Sequence, residues 1–237
     1  MVYINVKVKP CADIHKLHIL KLSATAHKAY EAIREQIENQ TLSPNDRIIE
    51  ADLSRELQMS RTPVREALRK LVDERWLEYL PNRGMRVRVW NVKDIQDNFQ
   101  IRQLLECEAA AMAATHIEAS EIEKLNMTNE QLRSIAKFHT QQDAIERMTA
   151  LNLDFHRGVW QASCNRILAE ILQHNVNVPT MFNTYRHFDE HMLHDSLDEH
   201  NQMISVFKKR DAPAARALMR NHLQRASDVF DTDHTAS

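Results

Sequence analysis

Apolar residues recur along this chain with two periods, and the points where the period changes divide it into elements. From Ser23 to Asn39, the positions Ala26, Ala29, Tyr30, Ile33 and Ile37 fall on one side of a helix. A shorter stripe of Ile49, Leu53 and Leu57 predicts a helix over IEADLSREL, after a turn at Thr41–Asp46. A third stripe, Val64, Leu68, Leu71 and Val72, predicts a helix opening near Ser60. Ser60 and Thr62 are candidate N-caps there, and Pro63 suits a first turn that needs no N–H. After Trp76 the period falls to two. Leu77–Leu80 and Met85–Val89 alternate like strands, joined by the turn Pro81-Asn82-Arg83-Gly84. Beyond Asn91 the helical period returns. Helices are predicted at Val92–His116, Ser120–Phe138, Asp143–Ala162, Arg166–Val178, His191–Lys209 and Ala212–Phe230. Ser120 with Glu123 reads as a capping box, and Asp211 with Pro213 as a helix start.

Helix, tight turn, helix and hairpin, in that order, spell a winged helix-turn-helix. The fold class is therefore mainly α: an N-terminal winged helix-turn-helix with a small two-stranded wing, followed by an all-α antiparallel bundle of six helices. The expected boundaries are an arm of unassigned structure at 1–21, with a β-like segment at Val2–Val8, a winged domain at 22–90, a bundle at 91–231 and a tail at 232–237. Two glycines and six prolines leave room for little but helices and short loops.

Charge sharpens this reading. From Leu53 to Trp90 there are nine Lys/Arg against five Asp/Glu, although the whole chain carries a formal charge of −2. Arg61, Arg65 and Arg69 are four residues apart and stand one above another on the second helix, opposite its buried stripe. Forked guanidinium donors at the entering end of a helix can grip phosphates or the O6 and N7 of guanine. Ser60, Thr62 and the free N–H groups of the helix start suit a phosphate. Arg83, Arg86 and Arg88 make the wing basic, and Gly84 sits at its tip. The expected partner is double-stranded DNA.

The run SRTPVREALRKLVDERWLEYLPNRGMRV resembles the GntR family of bacterial transcription regulators, whose recognition helix reads S-R-x-x-V-R-E-A-L and whose wing tip reads R-G. The resemblance implies DNA contacts at Ser60, Arg61, Thr62, Arg65, Arg83 and Gly84. Relatives of the fatty-acid-responsive regulator carry a further DNA-contacting arginine where this chain has Ala51, and Arg55, one turn away, is its candidate substitute. In the bundle, Ile101-Arg102-Gln103-Leu104-Leu105-Glu106 followed by Ala109-Ala110 resembles the opening of the FCD ligand-binding domain, and a count of six helices points to its smaller, vanillate-regulator-like branch.

The chemistry of the bundle rests on some of the chain's 13 histidines. Asn152 and His156 are i and i+4 on one helix and point at the same spot. His200 and His222 belong to the last two long helices, expected to be antiparallel neighbours. Three imidazoles and one oxygen make a borderline-soft site for a divalent metal: Zn²⁺ first, with Ni²⁺ or Mn²⁺ as alternatives. Metal-binding FCD domains use D-x-x-x-H plus one histidine on each of the last two helices, so these positions match with Asn152 in the aspartate's place. A competing cluster is His187, His191 and His194, in a stretch expected as an acidic loop. Arg102 either meets an anionic effector or pairs with Glu106, and Asn175 and Tyr185 are further effector candidates.

No H-E-x-x-H motif is present, and no catalytic residue is assigned; a metal-dependent hydrolase, or a metal-binding bundle whose winged helix serves protein interaction, is the alternative. Cys11, Cys107 and Cys164 are too few and too scattered for a disulfide framework or zinc ribbon. No apolar run reaches the roughly 20 residues that span a bilayer. The opening segment lacks the apolar core and cleavage site of a signal peptide. The expected protein is a bacterial cytoplasmic regulator, a homodimer on a near-palindromic operator, acting as a repressor controlled by a small carboxylate effector at a metal site.

Overall fold

The computed structural model describes residues 22–80, 84–176 and 178–230. The expected arm, Pro81, Asn82 and Arg83 of the wing turn, and the tail lie outside the described residues, and so does the DNA contact expected of Arg83.

Helix α1 (Ala24–Glu38) begins where the Ser23 hydroxyl accepts from the Ala26 N–H. It packs its alanine, tyrosine and isoleucine face on α3 (Arg61–Asp73), whose Val64, Ala67, Leu68 and Leu71 are buried. Between them lie strand β1 (Arg47–Ile48) and helix α2 (Glu50–Glu56). Ile49 does not join Leu53 in the core. It stands at the N-cap of α2 and is 45% exposed, because the helix starts one residue later than the apolar stripe suggests. Ser60 occupies the N-cap position of α3 with extended backbone, but its hydroxyl makes no capping bond.

The wing has three strands rather than the expected two. Hairpin β2 (Leu77–Leu80) and β3 (Gly84–Val87) is joined by β1 in the order β1-β3-β2, all antiparallel, with Arg47 and Glu78 both opposite Arg86. Two residues of β1 are too few to show a period, so the third strand leaves no mark in the sequence. Gly84 has φ +85°, a conformation that a Cβ disfavours.

The second unit holds seven helices among the described residues: α4 (Val92–His116), α5 (Ala119–Ala136), α6 (Gln142–Ala162), α7 (Arg166–Asn175), α8 (Val178–His187), α9 (Glu190–Lys208) and α10 (Ala212–Asp228). The count of six is thus corrected to seven, and the argument for a smaller branch loses its basis. The helix expected to run to Val178 stops at Asn175, and α8 follows. Pro179 occupies its first turn, while Met181, Tyr185 and Phe188 turn into the core at helical spacing. His191 and His194 lie on α9, not in a loop, and both are exposed.

Caps fix the register of the bundle. Asn91 and Asp94 form a capping box for α4, and Asp211 accepts from Ala214 N–H ahead of Pro213. At α5 the box is Glu118 with Glu121, two residues before the expected Ser120. α6 crosses α5 closely at Gly158, where a Cβ would come within 2.7 Å of Leu125 Cδ2.

Candidate functional site

Two places gather chemistry-bearing side chains. The first is the exposed side of α3. Arg61, Arg65 and Arg69 point to solvent, as do Ser60 and Thr62, while the opposite face is fully buried. Arg65 is not free: its Nε and Nη2 hold Glu50 at the start of α2 in a fork of 2.9 and 2.8 Å. The fork, helped by the charges of Arg65, Arg61 and Arg69, holds the Glu50 carboxyl below its ordinary range although desolvation opposes it. Glu50 therefore sits as an internal anion in front of a basic face. Arg55 is exposed and meets Asp52 at 3.3 Å. On the wing, Arg86 is tied to Glu78 and Asn45, and the Arg88 guanidinium lies 4.2 Å from the Trp90 ring centroid. The expected basic wing is thus partly neutralised within the domain.

The second place is inside the bundle. His156 on α6, His200 on α9 and His222 on α10 are all buried, with one nitrogen of each within 4.8 Å of the others. Each ring is held through Nδ1. His156 Nδ1 lies 2.6 Å from Glu106 Oε2, His200 Nδ1 lies 3.1 Å from Asn129 Oδ1, and His222 Nδ1 lies 2.9 Å from Glu199 Oε2. Asn129 Oδ1 is an acceptor, because its Nδ2 donates to Leu197 O and Asn201 Oδ1. With acceptors at Nδ1, each imidazole carries its proton there and leaves Nε2 as a bare lone pair. Nε2 of His156, Nε2 of His200 and Oδ1 of Asn152 are buried, with no hydrogen-bond partner among the described residues. Buried polar atoms are rarely left so. Burial lowers the pKa of His156 despite Glu106, and lowers that of His200 well below its ordinary value, with His222 and His156 adding to it. Neutral rings with inward lone pairs are what a metal ion needs. Asp154 is exposed on another side of α6, paired with Arg157, and takes no part.

Glu106 was read in the sequence only as a possible mate for Arg102, yet it is the hub of this site. It is fully buried; Oε1 takes Arg102 Nε at 2.7 Å, while Oε2 takes both His156 and Trp160 Nε1. Burial would raise its pKa, but the charge of Arg102 and the hydrogen bonds from His156 and Arg102 overcome that and hold the carboxyl well below its ordinary range. Arg102 therefore takes the Glu106 pairing and still lines the adjoining cavity. That cavity is small, about 20 Å³, and is also lined by Asn152, His156, Tyr185, Ser196 and His222. Tyr185 hydrogen-bonds Ser196, and burial pushes its phenol up. Asn175 is not there. Its amide caps its own helix on Ile171 O, and its carbonyl accepts from Asn98.

Comparison with known proteins decides the family. The description "Bacterial regulatory proteins, gntR family" matches residues 25–87, and the FCD domain matches residues 97–225. The chain is a GntR-family regulator with an FCD domain. Among its relatives, the HTH-type transcriptional repressor RspR of Escherichia coli is 28% identical over 208 residues, covering 84% of this chain and 86% of its own. The regulator YdhC of Bacillus subtilis is 27% identical over 194 residues, covering 81% of this chain and 85% of its own. The solved structure of E. coli McbR/YncC superposes with a TM-score of 0.70 at 22% identity, over 90% of this chain and 99% of that one, and so shares the fold. A DNA-binding transcriptional regulator of the GntR class with an FCD domain is what these matches show. Among the described residues, no helix of this GntR-family regulator is long and apolar enough to cross a membrane.

Between the two domains, Arg34 of α1 reaches Glu146 of α6 at 2.6 Å while also meeting Glu38 and Glu31 of its own helix. Nothing in the local pattern announces this contact, which spans 112 positions.

Proposed function

We propose that this regulator represses transcription from a near-palindromic operator, and that a small organic acid, bound with a divalent metal in the bundle, controls its grip on DNA. The convergent histidine triad carries the reading: its rings are held at Nδ1, and Nε2 of His156 and of His200 is buried without a hydrogen-bond partner among the described residues. His156, His200 and His222 would hold the metal, with Asn152 as the fourth donor. Three nitrogens and one oxygen suit Zn²⁺, with Ni²⁺ or Mn²⁺ as alternatives, and an ion there would offer open positions to a carboxylate. Arg102 and Tyr185, on the cavity wall, would face that carboxylate.

At the other end, Ser60, Arg61, Thr62 and Arg65 would meet DNA, with Arg55 and the wing tip at Gly84 beside them. A homodimer presents two such helices to two half-sites. Ile101 and Leu104 on α4, 46% and 71% exposed, stand on a helix that contacts α7, whose Ile167 and Ile171 are 62% and 42% exposed. These exposed apolar side chains support pairing through the bundles. Because α6 carries Glu146, Asn152 and His156, one helix links the cavity to the Arg34 contact across roughly 9–15 Å of its length. An effector whose affinity differs between domain arrangements must then shift operator occupancy. The repressor role is supported by the name of RspR.

The test is operator binding by purified protein with and without stripped metal and added organic acids, alongside elemental analysis. Stoichiometric metal, lost in His156→Ala/His200→Ala, and acid-dependent release from the operator are expected. A triad variant that keeps its metal would overturn the assignment.

A further inference from the structure

A second cavity lies where the two domains meet. It measures about 200 Å³ and is walled by Trp76 and Trp90 at the base of the wing, by Ile37 and Val87, and by Pro179 of α8. A dry cavity of about 150 Å³ holds a benzene ring, so this one admits a single ring with a small substituent. Its polar lining is one-sided. Trp90 Nε1 is buried with no hydrogen-bond partner among the described residues, and an indole N–H can only donate. Arg88 lies over the Trp90 ring and forms no ion pair among the described residues. Arg75 nearby is held below its ordinary pKa by burial and then by the charge of Arg88, a sign that positive charge collects in this corner. Arg186 of α8 adds another guanidinium to the lining. Among the described residues, Glu38 is the one carboxyl in that lining. It shares Arg34 with Glu31 and Glu146, and its Oε2 is buried with no hydrogen-bond partner. Burial, with Glu146 and Glu31 adding to it against Arg34, pushes this carboxyl up to about 8. At neutral pH it therefore keeps a proton and sets no negative charge against a bound anion.

We infer that this junction cavity is a ligand site in its own right, separate from the triad, and that it takes a one-ring aromatic carboxylate. The ring lies among the two indoles and the aliphatic wall, where aromatic faces and edges pack favourably. The carboxylate meets the Trp90 N–H and the Arg88 guanidinium, with Arg186 beside them. It supplies an acceptor to a buried donor that has none, and negative charge to an arginine that has no acidic partner. The site belongs to both domains, because Trp76, Val87, Arg88 and Trp90 frame the wing while Pro179 and Arg186 stand on α8. The same α8 presents Met181 and Tyr185 to the small cavity beside the triad. A ligand wedged at the junction therefore favours one arrangement of wing and bundle, and it acts through the helix that borders the triad.

Isothermal titration calorimetry of the full chain with benzoate as the probe tests the site. One benzoate per chain is expected, and the absence of binding into the millimolar range would overturn the inference. Arg88→Gln is expected to weaken benzoate by about tenfold or more. Trp90→Phe, which keeps a ring and removes the N–H, is expected to cost a smaller factor. Circular dichroism checks that both variants are folded, and unchanged affinity in the two of them would remove the site. Glu38→Gln, which mimics the protonated acid, is expected to keep the affinity; a loss as large as that of Arg88→Gln would make the carboxylate the binding group and exclude an anion. Benzylammonium and cyclohexanecarboxylate are both expected to bind more weakly than benzoate. Equal affinity for the first would overturn the anionic class, and equal affinity for the second the aromatic one. His156→Ala/His200→Ala is expected to bind benzoate as before. Loss of benzoate in that variant, with Arg88→Gln unaffected, would put the molecule in the bundle, overturning the junction site while leaving the proposed function standing.

Discussion

The outer face of α3 and the chamber between α6, α9 and α10 are both arranged for a charged visitor, but solvent treats them in opposite ways. On α3, three arginines stand in water, one braced by Glu50. In the chamber, Arg102 and Glu106 are buried and paired with each other, and the atoms left over, Nε2 of His156 and His200 and Oδ1 of Asn152, carry no charge. At the exposed face, a side chain can be lost without disturbing the fold, so the damage falls on binding alone. In the chamber, a lost carboxylate strands its partner in a dry interior, so the damage reaches the whole domain. The difference is one of desolvation rather than of charge count.

The sharpest way to break this comparison is Glu106→Ala. Arg102 and His156 would be left buried without their acceptor, and breaking such a pair costs about 3–5 kcal/mol, read as a lowered midpoint in denaturant. A loss no larger than that of a surface substitution would mean that water reaches the chamber. Next comes Arg65→Ala on the outer face. Operator affinity should fall roughly tenfold to a hundredfold in a gel shift, with an unchanged thermal midpoint. A protein that unfolds earlier but binds as before would invert the contrast.

A smaller effect belongs to the junction between the domains. Burial, opposed by Arg34 but reinforced by Glu146 and Glu31, pushes Glu38 up from 4.5 to about 8. In that window the native state keeps a proton that the unfolded chain has released. Stability should therefore decline as pH rises from about 5 to about 8, and Glu38→Gln should flatten the decline. Equal slopes for the two proteins would show that the carboxyl is ionised throughout. The smallest effect is expected for His191→Ala/His194→Ala, on the exposed side of α9. Metal content by elemental analysis should not change, and a loss would move the site away from the triad.

The sequence spoke clearly wherever the signal was local. The stripe Val64, Leu68, Leu71 and the arginines opposite it lie within three turns, so period and charge could be read together. The triad was legible as residues, because a histidine on each of three amphipathic helices is visible without knowing how the helices pack. What holds the triad was not. Glu106 and His156 are 50 positions apart and Arg34 and Glu146 are 112 apart, and only packing brings each pair together. A signal did exist for Glu106, a carboxylate set among alanines on the face of α4 that Cys107, Ala109, Ala110 and Ala113 mark as buried. Helix α8 escaped because Pro179 looks like a stop when it follows a helix and like a start only when one is expected to begin. Asn175 looked like a pocket residue because its amide is polar near the end of an apolar stripe, but a helix end supplies its own carbonyls to such an amide.

The Glu50–Arg65 fork has a consequence for how the protein would respond to ionic strength. Each cation that newly neutralises a DNA phosphate displaces condensed counterions and adds about 0.9 to the slope of log affinity against log salt. Arg65 arrives with its charge already matched by Glu50. If it leaves that partner for a phosphate, Glu50 must collect a cation from solution, which cancels much of the release. Operator occupancy should therefore fade less steeply with salt than three arginines on one helix imply, and Glu50→Gln should restore the missing steepness.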